Sequence, residues 1–187
     1  MIKKLIHHDR RPIEQAAKRR NIIFDLNGVL LMKTSLINLM ASPKEHASWY
    51  PVNLSLSLSI LRALQQQGHN LFVLSNMSVT QLSGIKQVPE ISSLFSFFDD
   101  IIISDITPYK KPDPRIFHFL FDIHNLVPQD CVFIDDLQDN LQGAQDAGIE
   151  HTILCKNFDL VSVKQELMYL GILPKDIKNE EHSSGQA

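Results

Sequence analysis

Five short apolar runs punctuate the chain: Asn21–Phe24, Asn70–Leu74, Ile101–Ile103, Cys131–Ile134 and His151–Leu154. None alternates apolar and polar residues at period two. Uninterrupted runs of this length predict strands covered on both faces, as in a parallel sheet. Between them the spacing turns helical. Leu54, Leu58, Leu61 and Leu64 share roughly one face of a helix over 54–67, and Gly68 ends it. A second helix over 114–124 carries Ile116, Phe117, Leu120 and Phe121. It starts at Asp113-Pro114, an N-cap followed by proline in the first helical position. A third covers 141–147 and stops at Gly148. Alternating strand and helix predict a doubly wound, three-layer α/β domain around a Rossmann-like parallel sheet.

One stretch breaks the rhythm. From Leu31 to Asn53 the chain is interrupted by Pro43 and Pro51, and its aromatics are the neighbours Trp49 and Tyr50. It reads as a short cap-like insertion after the first strand, too small for a separate domain. Trp49 and Tyr50 suit either core packing or the rim of a ligand site or subunit contact. The expected plan is a basic extension over 1–20, a core domain over 21–174 containing the 31–53 insertion, and a polar, mobile tail over 175–187.

Composition narrows the class. A chain of 187 residues, 44% hydrophobic, buries one full core. A formal net charge of −3 gives no signal for nucleic acid. Seven Lys or Arg fall within the first twenty residues, but Asp9 and Glu14 interrupt them and no apolar leader follows. No apolar run is long enough for a membrane span. Cys131 and Cys155 lie at the edges of apolar runs, without metal-like spacing, and are expected as reduced core thiols of a cytoplasmic protein. The histidines form no zinc-type pair.

Candidate chemistry lies in where the polar residues fall. Asp25 follows the first strand, Ser75 and Asn76 the second, Lys110 and Lys111 the third, and Asp135 and Asp136 the fourth. In an open parallel sheet the carboxyl ends of the strands meet at one crevice, where such folds bind ligands. Any one of these residues alone reads as a cap or turn former; four strand ends together do not. Crowded carboxylates repel unless a cation sits among them, and hard oxygen donors suit Mg²⁺. With that charge offset, a carboxylate can approach phosphorus, while a hydroxyl, an amide and a lysine hold the remaining oxygens.

These residues sit in recognisable motifs. Phe24-Asp25-Leu26-Asn27-Gly28-Val29-Leu30 resembles motif I of the haloacid-dehalogenase-like superfamily. Leu74-Ser75-Asn76 resembles motif II, and Lys111-Pro112-Asp113-Pro114 motif III. Phe133-Ile134-Asp135-Asp136, with Asn140, Gly143, Ala144, Ala147 and Gly148, resembles motif IV. All four occur in order across about 21–156. The nearest branch includes a bacterial glucose-1-phosphate phosphatase and the N-terminal phosphatase domain of mammalian soluble epoxide hydrolase.

The resemblance implies a Mg²⁺-dependent phosphatase working through an aspartyl-phosphate. Asp25 would be nucleophile and metal ligand, and the Asn27 carbonyl a second ligand. Asp136 would bind the metal directly, with Asp135 beside it or acting through water. Ser75, Asn76 and Lys111 would hold the phosphoryl oxygens, Asn140 would support the metal shell, and Lys110 is a solvated neighbour. The expected substrate is a phosphorylated small molecule, or an exposed phosphate on a larger one, with no nucleic acid or membrane involved.

Two departures from the family pattern matter. The aspartate expected two positions after the nucleophile is Asn27, and an amide cannot serve as general acid or base. Only 50 positions separate Asp25 from Ser75, too few for a large inserted cap, so an open site is expected. Metal-free dehalogenation has no use for the Asp135-Asp136 pair. The alternative that stays open is a catalytically degenerate member that binds a phospholigand or a protein.

Overall fold

The computed structural model describes residues 18–33 and 49–175. Most of the basic extension, the middle of the insertion and the tail after residue 175 lie outside the described residues. The elements run β1 (Asn21–Phe24), β2 (Leu31–Lys33), β3 (Trp49–Pro51), α1 (Leu54–Gln66), β4 (Asn70–Ser75), α2 (Val79–Lys86), α3 (Pro89–Ser92), β5 (Asp100–Ile103), α4 (Pro114–His124), β6 (Cys131–Asp135), α5 (Gln138–Asp146), β7 (His151–Leu154) and α6 (Leu160–Tyr169).

Five strands form one sheet in the order β5-β4-β1-β6-β7, and every neighbouring pair is parallel. The apolar runs of β1, β4 and β6 are buried on both faces because successive side chains enter two different clusters. Ile22, Phe24, Leu71, Val73, Val132 and Ile134 pack on one side with Ile60, Leu61 and Leu64 of α1 and Val163 and Leu167 of α6. Ile23, Phe72, Leu74, Cys131 and Phe133 pack on the other with Ile116, Phe117 and Leu120 of α4 and Leu141 and Ala144 of α5. The three-layer α/β architecture expected from the pattern is the one observed.

Helix ends follow local chemistry. The Asn53 side chain accepts from the Leu56 N–H at 3.1 Å and starts α1, and Gly68, at φ +80°, turns the chain after it. Asp113 caps α4 ahead of Pro114, and Asn125 in the left-handed region ends it. Ser78 and Gln81 form a capping box on α2. Helix α5 begins three residues before the predicted start. Gln138, Asp139 and Asn140 carry no apolar periodicity, and the Asp135 carboxylate takes the Leu137 N–H at 2.9 Å as the helix opens. Helix α6 was not predicted, although its buried Leu160, Val163 and Leu167 have helical spacing.

The two ends of the 31–53 insertion pair with each other as an antiparallel hairpin, β2 with β3; residues 34–48 lie outside the described residues. Trp49 packs against the core, and the Lys33 ammonium sits 5.8 Å from its ring centre. Tyr50 points the other way and is about half exposed. Cys131 and Cys155 are buried and unpaired, and burial pushes both thiols up to about 12. Among the described residues no helix is long and apolar enough to cross a membrane.

Candidate active site

Asp25 is the first residue past β1, the central strand, and its N–H continues the ladder to the Ile134 carbonyl at 2.9 Å. The tight turn after it returns the chain from Leu26 to Leu31, whose N–H bonds the Leu26 carbonyl at 2.8 Å. Asp25 is therefore held by the sheet on one side and a closed turn on the other. Its side chain is buried. Lys111, equally buried, donates to Asp25 Oδ1 at 2.8 Å and to Asp135 Oδ2 at 2.6 Å. Two of the three ammonium donors are thus engaged, and one is left for a ligand. Its Nζ also lies 5.1 Å from the Phe133 ring centre.

Asp135, the last residue of β6, is fully buried. Besides Lys111, it takes Asn140 Nδ2 at 3.0 and 3.1 Å and the Leu137 N–H at 2.9 Å. It stands at the N-terminal end of α5, where the helix dipole favours negative charge. Asp136 is half-buried and has no side-chain donor among the described residues. Its carboxylate lies against Gly28, at φ +97°, where an added Cβ would fall 2.2 Å from Asp136 Cγ. The missing side chain of Gly28 is what lets Asp136 reach the crevice.

Burial raises the Asp25 carboxyl most; Lys111 opposes this, Asp135 adds to it, and hydrogen bonds from Lys111 and Ser75 oppose it in turn, leaving it above the usual carboxylate range. Asp136 is pushed up to about 6, by burial first and then by the charges of Asp135 and Asp25.

Ser75 ends β4 and is buried beside Asp25. The Asn76 side chain, expected to face phosphoryl oxygens, is occupied with the backbone of Lys111: it donates to the Lys111 carbonyl at 2.8 Å and accepts the Lys111 N–H at 2.9 Å. Asn27 is exposed at the mouth of the crevice and Lys110 points to solvent. Asn140, expected beside the metal, reaches the crevice through Asp135. One contact was not read from the sequence. A Cβ at Gly143, in the middle of α5, would lie 1.9 Å from the Pro112 carbonyl oxygen. The signal was a glycine inside a helix, which marks a close approach of backbone.

The donor set fits a hard divalent cation. Asp25, Asp135 and Asp136 bring carboxylate oxygens within 4.8 Å of one another, and Lys111 is the one ammonium in hydrogen-bond contact with them among the described residues. Three carboxylates against one ammonium leave net negative charge, and all the donors are oxygen. Both Asp135 oxygens are already engaged, whereas Asp136 is free to ligate.

Fold and site together define a three-layer α/β core around a parallel sheet, with a carboxylate cluster at its topological switch point. Residues 55–148, half of the chain, match the haloacid dehalogenase-like hydrolase family. A phosphoglycolate phosphatase of Pseudomonas putida is 29% identical over 90 residues, which cover 48% of this chain and 32% of that enzyme. The matched stretch is thus about a third of the relative's length. A predicted HAD-like family hydrolase from Porphyromonas gingivalis superposes with a TM-score of 0.60 at 21% identity, covering 81% of this chain and 98% of that one. An aspartate-to-alanine mutant of a HAD family enzyme from Bacteroides thetaiotaomicron, in complex with magnesium and inorganic phosphate, superposes at 0.56 with 18% identity, covering 73% and 93%. The chain belongs to the haloacid dehalogenase-like hydrolase family.

Proposed function

We propose that this chain is a Mg²⁺-dependent phosphoric monoester hydrolase working through an aspartyl-phosphate on Asp25. The observation that carries the reading is the buried Lys111 bridging Asp25 and Asp135 beside a third carboxylate, Asp136. The phosphatase among the relatives and the magnesium and phosphate in a structural neighbour support it. The catalytic unit is residues 21–174, with 31–53 as its insertion.

The chain's own residues divide the work. Asp25 attacks phosphorus, and the bond to the leaving-group oxygen breaks as the Asp25–phosphorus bond forms. The Ser75 hydroxyl and the third donor of Lys111 hold phosphoryl oxygens as charge shifts in the transition state. Asn76 fixes the backbone that carries Lys111. Asp25, the Asn27 carbonyl and Asp136, with Asp135 beside them, would hold Mg²⁺, which supplies charge neutralisation for an incoming phosphate. Asn27 supplies no proton, so the leaving oxygen takes its proton from solvent, and water opens the aspartyl-phosphate without a base at that position.

The test is turnover of a panel of phosphorylated metabolites and acyl phosphates with Mg²⁺, beside Asp25→Asn. Turnover abolished by Asp25→Asn in a folded protein is expected; a verified activity that survives it overturns the covalent route. Asn27 favours a second reading, a member that binds a phospholigand without turning it over. Tight binding of phosphate with Mg²⁺, and no hydrolysis of any ester or acyl phosphate, would establish that instead.

A further inference from the structure

A cleft of ≈ 310 Å³ opens beside Asp136 and Gly28, on the β7 side of the carboxylates. Its far wall is the end of β7 and the segment that follows, contributed by Leu154, Lys156, Asn157 and Phe158. Three features set this wall apart. Leu154 and Phe158 are 38% and 43% exposed, whereas the other apolar side chains of the five-stranded sheet are buried or partly buried. Asn157 and Phe158 are consecutive non-glycine residues at positive φ, 55° and 62°. Asparagine tolerates that region, but a bulky aromatic is an outlier there. A glycine or asparagine would carry the chain into the Asp159 cap of α6 without strain, so the phenylalanine is not needed for the turn itself. Lys156 has no ion-pair partner among the described residues, and it lines the same cleft.

We propose that this cleft seats the leaving group of the phosphoryl substrate, and that this group is a flat apolar, aryl-type body carrying a second anionic substituent. The proposal rests on the phosphoryl site described above. With phosphorus at Asp25, a group extending past Asp136 meets the Phe158 ring and Leu154 for its apolar face. Lys156 stands at the same wall for its charge. Asp136 and Gly28 form the polar floor that joins the cleft to the carboxylates. The volume suits a small molecule, at the low end of ligand pockets.

Phosphonates test this without turnover, since their carbon–phosphorus bond is not cleaved. Calorimetry with saturating Mg²⁺ compares methylphosphonate, phenylphosphonate and 4-carboxyphenylphosphonate on wild type, Phe158→Ala, Phe158→Tyr and Lys156→Glu. Wild type is expected to prefer the phenyl over the methyl compound by about tenfold. That preference should fall below about threefold in Phe158→Ala and persist in Phe158→Tyr. The carboxylated compound should bind wild type about threefold more tightly than phenylphosphonate, and more weakly than it on Lys156→Glu. Methylphosphonate binding with no aryl preference, or an aryl preference that survives Phe158→Ala, overturns the subsite and leaves the phosphoryl site standing. Failure of all three phosphonates to bind overturns the phosphoryl site and the subsite together.

Discussion

The Asn76 side chain closes a two-bond clip on the backbone of Lys111, giving a hydrogen bond to its carbonyl at 2.8 Å and taking one from its N–H at 2.9 Å. The two residues lie 35 positions apart and belong to different strand–helix connections. The clip sets where the Lys111 ammonium begins its reach to Asp25 and Asp135. Asn76→Ala is expected to lower kcat by up to about 10²-fold, the scale of an ångström-level misplacement. The loss of two hydrogen bonds should cost about 1–3 kcal/mol of stability. Asn76→Asp keeps the acceptor and loses the donor, so it should fall between. Steady-state kinetics with urea unfolding checks the order; wild-type kcat in Asn76→Ala would show that the clip does not position Lys111.

Gly143 lets α5 pass directly over the Pro112 carbonyl. Helix propensity alone favours Gly143→Ala by up to about 1 kcal/mol. The clash overrides it, because the neighbour is backbone and cannot rotate away. The variant is expected to lose about 2 kcal/mol or more, as overpacked cores do. Denaturant unfolding checks the sign, and a stabilised variant would mean that α5 and the Pro112 loop separate at little cost.

Asn27 is exposed at the mouth of the crevice, two residues past the proposed nucleophile. Asn27→Asp should raise hydrolysis of alkyl phosphates, which need a proton on the departing oxygen, by up to about 10²–10⁴. Acyl phosphates, whose leaving group tolerates charge, should gain less. The comparison of the two rates is the measurement; equal gains would assign the effect to something other than acid–base chemistry.

His69 is buried at the opposite end of the sheet. Its Nδ1 accepts the Arg20 N–H at 3.1 Å and its Nε2 meets the Ile172 carbonyl at 3.0 Å. The ring is therefore neutral with its proton on Nε2; burial lowers its pKa, the hydrogen bond to the Ile172 carbonyl opposes this, and the charges of Arg20 and Arg19 add to the lowering. The unfolded chain takes up a proton near the ordinary value of 6.5, while the folded chain resists it. This contribution is complete above that pH and is lost as the pH falls toward the lower, folded value. The slope is at most about 1.4 kcal/mol per pH unit. Urea unfolding between pH 7.5 and 5.5 should show wild type losing more stability than His69→Gln; parallel curves would exclude His69 as the source.

The five apolar runs were legible as uninterrupted stretches: strands covered on both faces, as β1, β4 and β6 are, must be apolar throughout, and the polar residues that end them stand out against that background. The carboxylates, Ser75 and Lys111 could be gathered at one crevice from sequence because parallel topology brings strand ends together. The family motifs named the same residues. What each side chain does once there was not legible. The Asn76 side chain is bound to the Lys111 backbone, Asp135 is taken up by Lys111 and the start of α5, and Asp136 is left free by the missing side chain of Gly28. Those assignments depend on distances of a few ångströms between segments far apart in the chain, and no local pattern encodes them. The same holds for Gly143 over Pro112 and for Phe158 beside the crevice. The order of polar and apolar residues determined the layers and the strand ends, while the close packing of α5, the Lys111 loop and the segment after β7 decided which groups face the crevice.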